Sequence, residues 1–303
     1  MAVESRLMWD SLVAETQFAT ELIITGLRRL CSVPTEPGLG GERRSNDRNY
    51  SLHVGMYSYS SGLERLCKLA IACNGYAAKG EFPKLKKYNH RIGGLLDAVE
   101  ELVPSGPGMS MGRAKYLTRP EDDLDPELTN MVERFANGDG RYEYLDSLWK
   151  DNPEVSTFNE WSALAAKVSV PEEVRDLIAL KDAMVYAIEA ELADAGLESS
   201  SQRVREDLAL PTYVPSVGVT LKLYRKVRWV AEILDVATYY TSQGIPILGE
   251  VVSPTLTQTT ANFFRYDIAR ISDEEPVTEE LEAVYKRIVK REAEDDEEEK
   301  WFP

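Results

Sequence analysis

Between residues 48 and 74 the side chains of Leu52, Met56, Tyr59, Leu63, Leu66, Ala70 and Cys73 alternate at spacings of four and three. A period of this kind places all of them on one stripe of an α-helix. It also requires a second helix to cover that stripe, at the shallow crossing angle of helical bundles. The preceding segment 5–31 supplies one. Trp9, Thr16, Ile23 and Leu30 repeat at seven there, with Leu12, Ala19 and Leu27 falling between them. Gly55 and Gly62 lie on the second helix and permit close approach of the first. Between the two helices, SVPTEPGLGGERRSND (32–47) contains two prolines and three glycines and reads as a loop, with Asn46 or Asp47 as N-cap.

Further along, a Gly/Pro loop over 74–87 leads to a third helix, 91–103, with Ile92, Leu95, Leu96, Val99 and Leu102 inward. PSGPG at 104–108 ends it and marks the expected boundary between an N-terminal helical module, 1–108, and a C-terminal one, 109–303. In the second module, Asp125-Pro126 opens a helix to Phe135, followed by the turn NGDG at 137–140. Short helices are expected at 142–149 and 159–168, and long ones at 171–195 and 219–242, stopping at Gly196 and Gly244. Helices at 255–266 and 278–298 follow, ending in the acidic run EAEDDEEE. Short extended pieces are expected near 210–217 and 245–252, within an all-α fold.

The net charge of −16 is uneven: residues 1–118 carry 15 Lys/Arg against 12 Asp/Glu, and residues 119–303 carry 20 against 39. Acidity of this size repels polyanions from most of the surface. A polyanion contact would therefore use the N-terminal part or a local patch. Three cysteines with no CxxC pattern suit buried thiols in a reducing compartment. The start MAVESRLMWD lacks a basic stretch followed by an apolar run, and no stretch of 18 apolar residues occurs. A cytoplasmic protein with no membrane contact is expected.

Metal-peptidase and P-loop motifs are absent, and PGLGGERR (37–44) follows a helix where a dinucleotide loop would need a strand. No cofactor or metal is expected. The acidic EDDLD (121–125) could gather a divalent cation, or could equally be a solvated loop with a helix cap. On the second helix His53, Tyr57, Glu64 and Lys68 span only about 60° and form a polar stripe beside the apolar seam. Lys222, Arg225 and Lys226 in LKLYRKVRW share one helix face next to Trp229. They could contact phosphates or an acidic partner, or pair with acidic helices of the same chain.

Arg48, Asn49 and His53 in RNYSLH, with GLERLCKLAI (62–71) and KKYNHRIGGLLDAV (86–99), resemble the HEPN superfamily. GLERLCKL, FPKLKKYNH and RYEYLDSL are also similar to a loosely defined group of bacterial proteins of this length. The HEPN likeness implies a small helical domain that dimerises. In the family's nucleases, an Arg and a His separated by four to six intervening residues cleave RNA without metal, in toxin or antiviral-defence roles. His53 would then move the proton, Arg48 would clamp the phosphate, Asn49 would orient and Tyr57 would assist. RNA would bind the N-terminal module, and His90 would cap its helix. On a regular helix, positions 48 and 53 point about 140° apart. They meet only if Arg48 precedes the helix or the site is shared between two copies. The alternative is a non-catalytic helical protein that binds a nucleotide or a partner.

Overall fold

The computed structural model describes residues 2–34, 42–102, 117–120, 122–146, 148–149, 157–169, 190–191, 193–196, 214–239, 245–246 and 248. Two long antiparallel helices, α1 (Ala2–Cys31) and α2 (Glu42–Lys79), form its spine. They touch nearly backbone to backbone. A Cβ added to Gly26 would lie 2.6 Å from the Tyr59 amide nitrogen, and one on Gly62 would lie 2.9 Å from the Ala19 carbonyl. Gly55 faces the Leu30 side chain in the same way.

The expected α2 stripe is the core: Leu52, Met56, Tyr59, Leu63, Leu66, Ala70 and Cys73 are all buried. On α1, Thr16, Ala19, Ile23, Leu27 and Leu30 are buried as expected, but Trp9 is 47% exposed. An ideal helix drifts about 20° per heptad from a strict seven-residue repeat. Two heptads before Ile23, that drift has carried Trp9 off the seam.

Helix α2 is also longer than its apolar period. It starts at Glu42, inside the expected loop, and passes Gly75 before stopping at Lys79. The terminator is Gly80, at φ 72°, whose N–H donates to the Tyr76 carbonyl. Only a residue without Cβ takes that conformation cheaply. Gly75 instead lets Pro83 fold back against the helix.

A 3-10 turn at Leu85–Tyr88 leads into α3 (Ile92–Glu100). Next come α4 (Asp125–Asn137), a 3-10 turn at Asp139–Tyr142, the single turn α5 (Glu143–Asp146) and α6 (Thr157–Lys167). Helix α7 (Val214–Tyr239) packs on both α1 and α2. It begins where an extended piece was expected, because Pro215 sits in its first turn, where no N–H is needed. The Tyr59 hydroxyl donates to the Leu223 carbonyl at 2.8 Å and ties α2 to α7. One apolar core thus unites residues on both sides of position 108. All described elements are helical, as expected of an all-α chain, and no strand occurs among the described residues.

Cys31, Cys67 and Cys73 are buried free thiols. Burial pushes the Cys73 thiol up to about 12 and the Cys67 thiol higher still. The end of the expected 171–195 helix is described, with Gly196 in the left-handed region at φ 69°. The boundary at 104–108, the helices at 255–266 and 278–298 and the acidic run lie outside the described residues.

Glycine-to-alanine changes separate the close helix approach from helix propensity. Gly26→Ala should lower stability by about 1–3 kcal/mol, because the new methyl meets backbone. Gly94→Ala in α3 meets nothing within 4 Å and should be neutral or stabilising by about 0.5 kcal/mol. Urea midpoints followed by circular dichroism measure both, and equal effects would contradict the packing described.

Candidate anion-binding cleft

The polar stripe of α2 borders a cleft of about 490 Å³. Tyr57, Glu64, Arg65 and Lys68 form its α2 wall, Leu85 and His90 face them from the segment before α3, and Arg141 closes one end. The apolar floor includes Leu69 and Ala72.

Each cation in this cleft is held in place. Lys68 Nζ donates to Glu64 at 2.5 Å and to the Asn89 carbonyl at 3.0 Å. The second contact fastens the only described non-glycine residue with positive φ, Asn89 at 46°. His90 Nδ1 lies 3.0 Å from the other Glu64 oxygen, so one nearly buried carboxylate positions both Lys68 and His90. Arg65 pairs with Glu15 of α1 at 2.5 Å, and its guanidinium lies over the Phe18 ring. Arg141 is bound by carbonyls and an aromatic face. It donates to Phe135 O at 2.7 Å and Ala136 O at 3.2 Å, and stacks 4.6 Å from the centre of the Tyr57 ring. Lys84, Lys86, Lys87 and Arg91 are exposed beside the cleft. This corner is therefore electropositive on a chain of net charge −16.

His53 sits one helical turn before Tyr57, under the segment that carries Arg141. Its Nε2 lies 3.0 Å from Glu143, its Nδ1 lies 3.4 Å from the Tyr144 hydroxyl, and the Phe135 ring meets it edge-on. The His53 side chain is 15% exposed. Glu143 also accepts the Thr157 N–H at 3.0 Å, at the first residue of α6. Burial works to raise the Glu143 carboxyl, but His53 and Thr157 together hold it down at about 2. His53 thus anchors the turn after α4 to α2.

Arg48 and Asn49 belong to the same unbroken helix as His53. The non-helical lead-in that would have let Arg48 reach His53 within one copy is absent. By helix geometry the two positions lie about 140° apart around the axis, which leaves a site shared between copies as the one route to convergence. Tyr57 is half-exposed and reaches the cleft.

The C-terminal basic group takes its intramolecular alternative. Lys226 is buried and bonds Asp125 at 2.6 Å and Thr129 at 2.8 Å, and Lys222 pairs with Asp122. Lys226 is enclosed with the carboxylate that a buried ammonium needs, whereas Lys222 is only partly buried. Arg225 is half-buried on the same helix. The same pairs occupy two carboxylates of EDDLD, Asp122 and Asp125. No cluster of three or more His, Cys, Asp or Glu side chains among the described residues could hold a metal ion. No described helix is long and apolar enough to cross a membrane.

No family model, curated protein or solved structure matches this chain.

Glu143 gives the site a pH signature. Its folded pKa lies below the ordinary 4.5, so the stability it contributes is complete above 4.5 and is lost as the pH falls toward 2. Glu143→Gln should cost about 1–3 kcal/mol at pH 7, and less than half of that at pH 3. Denaturation midpoints of both proteins at the two pH values check this. A deficit that does not change with pH would contradict the pairing.

Proposed function

We propose that this protein is a HEPN-like helical binding protein whose α2 cleft takes a phosphate-bearing ligand without cleaving it. The convergence of Lys68, Arg65, His90 and Arg141 on one cleft, in a strongly acidic chain, carries this reading. Ion pairs within the cleft fix Lys68 and Arg65 before any ligand arrives, which reduces the ordering cost of binding. The surplus of positive charge comes from Arg141 and the exposed cations of 84–91. Glu64, Lys68 and His90 belong to two of the three segments that carry the HEPN likeness, and they meet in space.

Titration with inorganic pyrophosphate, followed by calorimetry, tests this. Lys68→Ala should weaken binding at least tenfold. Lys86→Ala combined with Arg91→Ala should weaken it less and flatten its salt dependence. Variants that bind as tightly as the unaltered protein would place the ligand elsewhere.

A second reading is metal-independent RNA cleavage of the toxin or antiviral type, with Arg48 of one copy beside His53 of another. The carboxylate on His53 Nε2 favours it, since such a partner orients an imidazole for proton transfer. In EDTA with single-stranded RNA, the binding reading expects intact RNA. Cleavage that His53→Ala abolishes would establish the second reading instead.

A further inference from the structure

We infer that the exposed basic ridge beside the α2 cleft, formed by Lys84, Lys86, Lys87 and Arg91, is an interaction surface whose occupant is the acidic run 292–299 of the same chain. The contact itself needs no phosphate ligand. Its consequence, competition with such a ligand, rests on the reading above.

The cations of the cleft and those of the ridge stand in different settings. Arg65, Lys68 and His90 each have a carboxylate within 3.0 Å. The four ridge side chains are exposed, and none of them forms an ion pair among the described residues. Lys87 lies over the Tyr88 ring, 4.7 Å from its centre. All four fall in the stretch 84–91, around the 3-10 turn Leu85–Tyr88, and that stretch contains no acidic residue. The turn cannot spread its charges freely, because the Asn89 carbonyl is fastened to Lys68 of α2. Like charges held this close repel one another, and a polyanion seated on them removes that repulsion.

The densest block of negative charge in the sequence is EAEDDEEE, with seven carboxylates in eight residues. A single exposed ion pair is weak. Such a contact holds only where several pairs form together on a tethered partner. The run supplies the number of charges, and its place on the same chain supplies the local concentration. Reach is not limiting. Leu248 is the last described residue, and the 44 positions from it to Glu292 extend to roughly 150 Å, against a diameter of roughly 50 Å for a compact chain of this length. Trp301 and Phe302 follow the run, and exposed Phe82, stacked on Tyr76, flanks the ridge. The segment therefore matches the ridge both in charge and at its aromatic edge. Seated there, it would cancel the positive surplus that draws a phosphate ligand to the cleft. The modest effect expected of Lys86→Ala with Arg91→Ala follows, since ligand and competitor both lose the same cations.

Zero-length carbodiimide cross-linking of the unaltered protein tests the contact. At low ionic strength, mass spectrometry of the monomer band from a denaturing gel should find Lys84, Lys86 or Lys87 joined to carboxylates of 292–299. At about 1 M salt these links should disappear. A variant with the seven acids of the run changed to their amides should bind inorganic pyrophosphate at least threefold more tightly at low salt, and equally at high salt. Circular dichroism reports whether that variant folds. A run joined to lysines outside the ridge, or to none, would overturn the assignment. Links confined to the dimer band would place the contact between copies and overturn the intramolecular one. Ridge links with pyrophosphate affinity unchanged in the variant would overturn the competition. Ridge links with no pyrophosphate binding by either protein would overturn the phosphate reading and leave the contact standing.

Discussion

The near contact of two backbones at Gly26 and Gly62 sets the geometry of everything else in this fold. With no Cβ at either position, α1 and α2 approach until Tyr59 and Ala19 main-chain atoms fill the gap. That closeness turns the Tyr59 side chain fully into the core, where its hydroxyl reaches the Leu223 carbonyl of α7. Burial raises its pKa and keeps it protonated as a donor. The opposite face of α2 is thereby committed outward, and it carries Tyr57, Arg65 and Lys68 to the cleft.

Two carboxylates organise that outward face. Glu64 gathers Lys68 and His90, and Glu143 gathers His53 and the start of α6. Both histidines of the chain are therefore held by a carboxylate, but in different settings. His90 is mostly exposed at the cleft, whereas His53 is largely enclosed by Phe135, Tyr144 and Glu143. The enclosed ring holds the turn that presents Arg141. Of the two rings, His90 is the one that lines the cleft.

How much of this was legible in the sequence follows from range. The α2 seam and the use of Gly55 and Gly62 could be read directly, because a four-three period encodes a buried stripe and glycine permits contact. Trp9 was misplaced because an exact heptad drifts on a straight helix. The far end of α2 was misplaced because Gly75 serves Pro83 and leaves termination to Gly80. The pairing of Lys222 and Lys226 with Asp122 and Asp125 was open as one of two alternatives, and it is the one these side chains adopt, Lys226 in a buried setting. Arg141 and Glu143 gave no signal. They meet α2 across some 90 positions of chain, and nothing local in RYEYLDSL marks them as partners of His53. The Glu64–Lys68 pair could be read from its spacing, but the arrival of His90 depends on the loop fastened at Asn89.

With only two histidines, His53 and His90, selective isotope labelling gives one imidazole signal for each. Their ring resonances, recorded by NMR while inorganic pyrophosphate is added to the protein, test the cleft most directly. Saturable movement of the His90 signal with His53 unmoved is the predicted result. Movement of His53 with His90 unmoved, or of neither, would contradict a ligand site on the outward face of α2.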